Sequence, residues 1–363
     1  MQLDYRPLEE PVTEAMIKKY AAEHVSWHTP KFIGLFGGGI WLAFMVSTIV
    51  ANLSSGGGWN GRMAAMLILM TLISIGAVAA SLALTRAIAK NVARMNRFAE
   101  VNGAVYSSNI PPSGMTGLIF DNGHSRMITE SLALPRGVEF GNYRYVTGSG
   151  KNRSTHTFGY ARVALGRNLP NMVLDAKLNN FIGTSLPDSF DASQKLSLEG
   201  DFDKHFDLYV PKDYQRDALY VFTPDVMQAL IQHGRLLDME VVGSDLFMYS
   251  KKTIGLTSKN QLQAWIMVVD AISSELKDQS KRYVDERAVQ TQSALPVVAV
   301  QGQRLKKTNN YTVLLLFAGF VFVVFAPGFL PSEPAQAIAM AGWSVVFIVG
   351  LGLLIRRLIK SSR

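Results

Sequence analysis

The chain has 363 residues, of which 48% are hydrophobic and 18% are charged, with no cysteine and a formal net charge of +8. Without cysteine the protein has no disulfide framework, thiolate zinc site, iron–sulfur cluster or cysteine nucleophile. The apolar residues are concentrated towards the two ends of the sequence, which is not the even distribution expected of soluble domains.

Four long apolar runs predict transmembrane helices. Each is close to the ~20 residues that a helix needs to cross ~30 Å of hydrocarbon, and none contains Asp, Glu, Lys, Arg or His. The connections within each pair are short, so we expect two hairpins. The runs are Phe32–Leu53, Met63–Thr85, Tyr311–Leu330 and Ala337–Ile355.

Cationic residues predict the orientation of these helices. They flank the long middle segment and the C-terminus, and by the positive-inside rule both termini and the middle segment face the cytoplasm. We therefore expect a multi-pass protein of the bacterial cytoplasmic (inner) membrane. Its segments are residues 1–30 (cytoplasmic), 31–90 (first hairpin), 91–303 (an inserted cytoplasmic α+β domain) and 304–363 (second hairpin and basic tail).

The positive charge lies outside the middle segment. Residues 91–303 contain 22 Lys+Arg and 22 Asp+Glu, so the other 14 basic and 6 acidic residues account for the net charge of +8. The basic balance is therefore a topology signal, and it does not predict nucleic-acid binding. We expect these cations to favour anionic lipid head groups at the inner leaflet.

The N-terminal segment has helical spacing between Pro11 and Trp27, where Val12, Met16 and Tyr20 repeat at four residues. Two interpretations stay open: an amphipathic helix lying on the inner leaflet, or a surface helix docked on the cytoplasmic domain. After the second apolar run, Arg86 to Arg97 predict a helical continuation into the cytoplasm, ended by Gly103.

The middle segment favours short strands in a mainly antiparallel sheet, because no long helical crossover separates them. Gly137–Thr147 and Thr155–Leu165 are rich in β-branched and aromatic residues and flank a Gly-rich turn, which predicts a β-hairpin. Further predicted strands are Met172–Ala176, His205–Val210 and Leu219–Phe222, and a second hairpin is predicted from Met239–Val242 and Leu246–Tyr249 about Gly243-Ser244.

Two helices are predicted in the second half of the domain. Thr223-Pro224-Asp225 is typical of a helix start, with Thr as the N-cap, Pro at the first position and Asp in the first turn. Ser258 is expected to cap a longer helix in which Leu262, Ile266 and Val269 repeat at three and four residues.

Two groups of polar residues make up the candidate interaction surface. Gly148-Ser149-Gly150-Lys151 lacks the spacing of a phosphate-binding loop and joins two strands, so a plain hairpin turn is favoured. Asp201, Asp203, His205 and Asp207 alternate with other residues, which on a strand would place them on one face, either as a metal site or as a solvated face. The candidate residues are Lys151, Arg153, His156, Asp201, Asp203 and His205.

No catalytic, cofactor-binding or metal-ligating residues are assigned. The sequence contains no Gly-x-Ser-x-Gly elbow and no dinucleotide fingerprint with a downstream acidic residue. The apolar runs lack the ionisable residues with which pumps and carriers bind ions. An anchor is therefore favoured over a transporter.

Three segments carry a resemblance to a known family: Phe140–Tyr145 with Thr147–Arg153, Leu198–Phe206 with Leu208-Tyr209, and Asp217–Asp225. They resemble a family of uncharacterised bacterial, mainly actinobacterial, polytopic membrane proteins with a cytoplasmic domain of unknown function. The resemblance implies a domain flanked by membrane spans, and it implies no catalytic residue or ligand.

The sequence favours a membrane-anchored adaptor or regulatory binding module with an unidentified protein partner, and it allows a homo-oligomer. The first alternative is an inner-leaflet enzyme acting on a lipid-linked or small anionic substrate. The second alternative is a channel or transporter subunit.

Overall fold

The computed structural model describes residues 3–24, 61–180, 186–287 and 298–307, together with residues 38–39, 41–42, 45–46 and 48–49. The described residues belong to two compact units. One is drawn from Met1–Pro111, Met127–Tyr143 and Thr253–Met267, and the other from Pro112–Arg126, Arg144–Lys252 and Val268–Arg363.

The described residues contain helices, short 3-10 turns and strands. The α-helices are α1 (Arg6–Glu9), α2 (Glu14–His24), α3 (Gly61–Val101), α4 (Phe202–His205), α5 (Gln215–Val221), α6 (Pro224–His233), α7 (Lys259–Ser280) and α8 (Val300–Gln303). The strands are β1 (Val105–Ile110), β2 (His124–Leu134), β3 (Val138–Thr147), β4 (Ser154–Ala176), β5 (Lys195–Leu196), β6 (Phe206–Tyr209) and β7 (Asp238–Ser250). The 3-10 turns are Leu118–Asp121, Gly150–Asn152, Lys177–Asn179, Ala192–Gln194 and Lys212–Tyr214.

The first unit is built on the 41-residue helix α3, which contains the predicted second span and its predicted continuation. Thr71–Val101 is the one stretch, in the described part of the chain, that is long and apolar enough to cross a membrane. Ile68, Leu72 and Ile75 on this helix are about 60% exposed, so their apolar surface is not covered by the described residues. The structure therefore contains one candidate for the four predicted spans in its described part. The full set of four spans stays a prediction.

The predicted first span is described in part, and the described residues between 38 and 49 are helical. Thr71 Oγ1 lies 3.0 Å from Met45 Sδ, and a Cβ at Gly38 would lie 3.1 Å from Val78 Cγ2. Residue 45 lies opposite residue 71, and residue 38 lies opposite residue 78. The numbers decrease along one helix as they increase along the other, which is the order of an antiparallel pair. The predicted third and fourth spans lie outside the described residues.

The N-terminal helices pack on the polar half of α3. Val12 and Met16 contact Val92 and Ala93, which are buried. Arg97 Nη2 donates to Glu10 Oε2 at 3.0 Å. Of the two interpretations of this segment, these contacts favour a helix docked on the protein.

The strands form a mainly antiparallel sheet with helices, as predicted. The order is β1-β2-β3 in the first unit and β3-β4-β6-β5 in the second, where β7 also pairs with β4. The pairings β1–β2, β4–β6, β4–β7 and β5–β6 are all antiparallel. Strands β2 and β3 contribute residues to both units.

The predicted hairpin about residues 148–153 is confirmed by β3 and β4. Gly148 has φ +72°, and a Cβ there would lie 2.2 Å from the Asn152 carbonyl oxygen, so only glycine fits this turn. Strand β4 runs for 23 residues and so absorbs the separately predicted strand Met172–Ala176. It continues through Pro170 because its register with β7 shifts there, between Leu169 and Met172.

The predicted second hairpin about Gly243-Ser244 is wrong. Residues 238–250 form the single strand β7, and Gly243, with φ +58°, lies opposite Leu169 at the irregular part of the β4–β7 register. A glycine with positive φ occurs at bulges and other irregular positions within strands as well as in tight turns. Here it allows one strand to continue.

The predicted strand Leu219–Phe222 is also wrong, because residues 215–221 form helix α5. Tyr214, Ala218 and Val221 are buried, and their spacing of four and three residues places them on one helical face. The two helix starts are confirmed: α6 begins at Pro224 after Thr223, and α7 follows Ser258.

The core of the second unit lies along β4 and β7. The rings of Phe120 and Tyr160 meet edge to face with centroids 5.2 Å apart, and Phe247 lies 5.8 Å from Phe120. All three side chains are almost completely buried. These rings therefore form part of the apolar core of the second unit.

Candidate functional site

The first predicted group lies at the β3–β4 turn. Lys151 and Arg153 are exposed, and neither forms an ion pair within the described ranges. His156 Nε2 lies 2.8 Å from Thr147 Oγ1, and its ring stacks on Tyr145 with centroids 4.8 Å apart. The histidine is therefore tied into the strands, while the two cations are free to meet an anion.

The second predicted group does not lie on a strand, so the predicted shared face of Asp201, Asp203 and His205 is wrong. Residues 202–205 form the short helix α4. The cause is the pair Phe202 and Phe206, which are buried and stacked at 5.1 Å. Aromatic residues four apart suit one helical turn.

The polar side chains around α4 have local partners. Asp201 Oδ1 accepts from Lys204 Nζ at 2.5 Å, and this bond holds the pKa of Asp201 below its ordinary value. Asp203 Oδ1 accepts from the Leu198 N–H at 3.1 Å. Among the described residues, no group of three or more His, Asp or Glu side chains is arranged to hold a metal ion.

The two predicted groups lie at opposite ends of β4. Lys151 and Arg153 precede its first residue, Ser154, whereas Lys177, which follows its last residue, donates to the Asp203 carbonyl oxygen. The 23 residues of β4 therefore lie between the two groups along the chain. The six candidate residues therefore form two separate places on the second unit.

A cavity that the sequence did not predict lies beside α5, in the second unit. Its volume is about 580 Å³, which lies in the usual range of ligand pockets. Residues of α5 and the loop after it line one side, and residues at the end of α7 and just beyond line the other. The lining residues are Arg216, Asp217, Leu219, Tyr220, Val221, Thr223, Gln279, Arg282, Tyr283, Val284, Glu286 and Arg287.

One side of the cavity is held by a buried carboxylate, Asp285, whose side chain is 1% exposed. It accepts hydrogen bonds from the Tyr214 hydroxyl at 2.7 Å, from the Ala299 N–H at 2.9 Å and from the Arg287 N–H at 3.0 Å. Burial alone would raise the pKa of Asp285, but the hydrogen bonds lower it by a larger amount. The pKa of this carboxyl is therefore below its ordinary value. The group is therefore a charged anchor that fixes the segment after α7.

Arg287 joins this anchor to α5. Its Nη1 atom lies 2.6 Å from Asp217 Oδ2, and its guanidinium carbon lies 4.6 Å above the centre of the Tyr214 ring. The Tyr283 hydroxyl donates to the same Asp217 oxygen at 3.3 Å. Burial, followed by the charge of Asp217, raises the pKa of Tyr283, so the phenol stays protonated and remains a donor.

Three polar groups of the cavity have no such partner. Arg216 and Arg282 are exposed and form no ion pair within the part of the chain that the structure describes. Thr223 precedes α6 but makes no side-chain cap bond, and its buried Oγ1 has no hydrogen-bond partner among the described residues. These groups are available to a ligand, and an unpaired buried hydroxyl costs free energy until it is bonded.

Apolar side chains at the same cavity are unusually exposed. Leu219 is 54% exposed, Tyr220 64% and Val284 63%. Exposed apolar residues that cluster at a cavity mark an interaction site more often than a bare surface. Together with the two free guanidinium groups, they fit an occupant that has both an apolar part and an anionic group.

A smaller cavity of about 370 Å³ lies at the irregular part of β4 and β7. Its charged side chains already have partners. Asp245 pairs with Arg162 at 2.9 Å, and Arg304 donates to the Thr116 carbonyl oxygen at 3.2 Å. It therefore offers less to a charged ligand than the cavity beside α5.

Sequence reasoning missed the cavity because its lining comes from two separated segments, one of which was predicted to be a strand. A helical reading of residues 214–221, with Tyr214, Ala218 and Val221 inward, would have placed Arg216 and Tyr220 on the outer side. The spacing of these three inward residues was the signal from which helix α5 could have been predicted. The contribution of residues 279–287 had no signal in the sequence.

Comparisons of the chain with protein-family models, with curated proteins and with solved structures found no match. The geometry of the described residues therefore carries the functional proposal.

Proposed function

We propose that this protein is a membrane-anchored binding module, with an adaptor or regulatory role, whose second unit holds a segment of a partner protein in the cavity beside α5. The partner segment carries apolar residues and at least one carboxylate or phosphate. The proposal includes the predicted family of bacterial polytopic membrane proteins and the inner-membrane location.

The observation that carries the proposal is the combination of free cations and exposed apolar surface at one cavity. Arg216 and Arg282 have no ion-pair partner among the described residues, and Leu219, Tyr220 and Val284 are more than half exposed. A buried apolar contact supplies affinity, while a guanidinium group selects a planar anion. The cavity is thus suited to recognition of such a segment, and the ion pair between Asp217 and Arg287 stabilises its walls.

The anchoring half of the proposal is supported by α3. Its apolar side chains are exposed along the stretch that the sequence predicts to span the membrane. In lipid such side chains would be covered, and the helix would satisfy its own backbone hydrogen bonds. The basic residues after this stretch favour a cytoplasmic second half.

The orientation can be tested directly because the chain has no cysteine. Single cysteines at Ser55 and Ser332 should react with an impermeant maleimide added to intact cells, whereas a cysteine at Ser154, which is exposed, should react only after lysis. Labelling at Ser154 in intact cells would overturn the orientation.

The binding half is tested by comparative affinity purification of the native-level protein from gently solubilised membranes. We expect one partner in stoichiometric amount with the wild type, and at least a tenfold loss of it with Arg216→Ser/Arg282→Ser. The control is Lys204→Ser/Arg235→Ser, which removes the same charge from elsewhere in the second unit and should keep the partner.

A second variant separates binding from folding. Thr223→Val keeps the shape of the side chain and removes a hydroxyl that has no partner among the described residues, so it should leave the thermal stability unchanged or raised. The same variant should weaken retention of the partner. If the wild type emerges alone but binds a small anion that protects Arg282 from chemical modification, the inner-leaflet enzyme becomes the better account.

A further inference from the structure

Two loops of the second unit each leave one leucine exposed. Leu178 lies in the 3-10 turn that follows β4, and it is 59% exposed. Leu236 lies in the loop between α6 and β7, and it is 65% exposed, whereas the next residue, Leu237, is buried. A large apolar side chain in water forgoes the stabilisation that its burial would give. We call Leu178 and Leu236 together the leucine patch.

Hydrogen bonds hold these two loops side by side. The Ala176 N–H, at the end of β4, donates to Asp238 Oδ1, at the start of β7, over 2.9 Å. Asn179 Nδ2, in the first loop, donates to the carbonyl oxygen of Leu236, in the second, over 3.5 Å. The two members of the leucine patch therefore belong to adjacent loops whose bases are tied together.

Basic side chains accompany the leucine patch. Lys251 Nζ, just after the end of β7, donates to the Asn179 carbonyl oxygen at 3.3 Å, so this lysine lies against the first loop. Arg235 and Lys252 are exposed and form no ion pair within the part of the chain that the structure describes. These three cations and one more in the first loop form what we call the basic rim. The basic rim consists of Lys177, Arg235, Lys251 and Lys252.

The acidic side chains near the leucine patch, among the described residues, are buried or already bonded. Asp175 and Asp238 are buried. Asp207 Oδ1 is shared by two cations, with Lys177 Nζ at 2.9 Å and Lys195 Nζ at 3.1 Å. The loops that carry the patch and the rim contain no Asp or Glu, so positive charge surrounds the leucines. These loops are residues 176–180, 234–237 and 250–253.

We propose that the leucine patch inserts into the head-group region of an anionic lipid bilayer, with the basic rim at the level of the phosphates. Interfacial binding needs apolar side chains that enter the acyl boundary and cations that attract anionic lipid, and both are present here. The aliphatic parts of Lys and Arg can lie beside the leucines while their charges stay with the head groups. This inference goes beyond the proposed function, because it depends neither on the cavity nor on the number of spans.

Charge complementarity favours a bilayer over a second copy of this chain as the occupant. Two copies that met through the leucine patch would bring two basic rims together, and like charges repel. An anionic bilayer offers the opposite charge and an apolar layer beneath it. Each cation of the rim contributes on the order of a fivefold gain in binding, and burial of each leucine contributes roughly tenfold.

The test uses the full chain in lipid nanodiscs, with an environment-sensitive dye on a single cysteine, since the native chain has none. A dye at Leu178 or at Leu236 should shift its emission to the blue in phosphatidylcholine with phosphatidylglycerol, and much less in phosphatidylcholine alone. A dye at Asp278, in α7, should report water in both lipids. The same dyes can be measured with vesicles of these lipids, so the experiment is decisive even if the chain does not insert into nanodiscs.

Matched variants separate the apolar and charged contributions. With the dye at Leu178, Leu236→Ser should lower the ratio of inserted to free patch about tenfold, whereas Met267→Ser, at another exposed apolar residue, should leave it unchanged. Arg235→Ser/Lys252→Ser should lower the ratio roughly 25-fold. The control for charge is Lys151→Ser/Arg153→Ser, which should leave it unchanged. All these side chains are exposed, so the melting temperature should stay at the wild-type value.

The inference is overturned if the dyes at both leucines give the same spectra in the two lipid mixtures, or if each control variant has the same effect as its matched variant. A blue shift that rises with protein concentration in the absence of lipid would identify a second copy as the occupant, and would overturn it as well. Failure to insert into nanodiscs, together with a blue shift on vesicles, would contradict the anchoring half of the proposed function and leave the leucine patch supported.

Discussion

Removal of the Asp285 carboxylate should open the cavity beside α5. The carboxylate is buried and accepts three hydrogen bonds, from Tyr214, Ala299 and the backbone N–H of Arg287. Asp285→Ala leaves a buried phenol and two backbone N–H groups unpaired next to the positive charge of Arg287. Breaking a buried charged cluster in this way costs about 3–5 kcal/mol.

The magnitude can be compared between two variants. At about 1.4 kcal/mol per tenfold change, the Asp285→Ala substitution should raise local opening by a few hundred-fold or more. Asp285→Asn keeps one acceptor oxygen and the side-chain shape, so we expect a loss of about 2 kcal/mol, equivalent to roughly 30-fold.

The assay is amide hydrogen exchange of the full-length protein, followed by mass spectrometry of peptides that contain residues 298–303. The matched control is Glu286→Gln, which neutralises the exposed neighbouring carboxylate and should leave the exchange of these peptides unchanged. The reasoning would be refuted if Asp285→Ala exchanged at the wild-type rate, or if the control accelerated exchange as much.

The same carboxylate predicts a pH dependence. The pKa of Asp285 is lower in the folded protein than its ordinary value, so the folded state favours the charged form. Its contribution to stability is fully present above the ordinary carboxyl pKa and is lost as the pH falls through the lowered value. Local protection of residues 298–303 should therefore fall on acidification in the wild type, and much less in Asp285→Asn.

Three further outcomes follow from the described contacts. Burial raises the pKa of Glu240, so its contribution to stability is lost as the pH rises through that raised value, and thermal unfolding of Glu240→Gln should show a smaller loss over the same range. Gly148→Ala should lower the melting temperature more than Gly150→Ala, because both have positive φ but only the first meets a backbone oxygen; equal effects would contradict this turn geometry. Cysteines at Met45 and Thr71 should be joined by a short thiol-reactive cross-linker, because the side chains of these two residues meet, and failure of the cross-link would contradict the antiparallel helix pair.

Local chemistry made part of the fold predictable. The hairpin about residues 148–153 follows from two glycines between β-branched strands, and the starts of α6 and α7 follow from Thr223-Pro224 and Ser258. The antiparallel character of the sheet followed from short connections. In each of these cases the deciding interactions are close in sequence.

The errors arose where packing decided the structure. Gly243 is a turn residue by type, but pairing with the long strand β4 keeps β7 continuous through it. Residues 219–222 have strand-forming side chains, yet burial of Ala218 and Val221 on one side favours a helix. Phe202 and Phe206 likewise gain more by stacking in a helical turn than by alternating along a strand.

The candidate site was the least predictable part. Lys151 and Arg153 were found from the sequence because they flank a recognisable turn, but their separation from Asp201 and Asp203 depends on the length of β4. The free arginines of the cavity come from distant segments, and only the fold shows that they share one space.

The proposed function requires that the cavity beside α5 holds a protein partner. The most direct measurement replaces Tyr220, which is 64% exposed at the cavity, with a photo-cross-linking amino acid in living cells. We expect one discrete protein adduct, which is lost with Arg216→Ser/Arg282→Ser and retained with Lys204→Ser/Arg235→Ser. The absence of any protein adduct, or an adduct indifferent to both arginines, would contradict it.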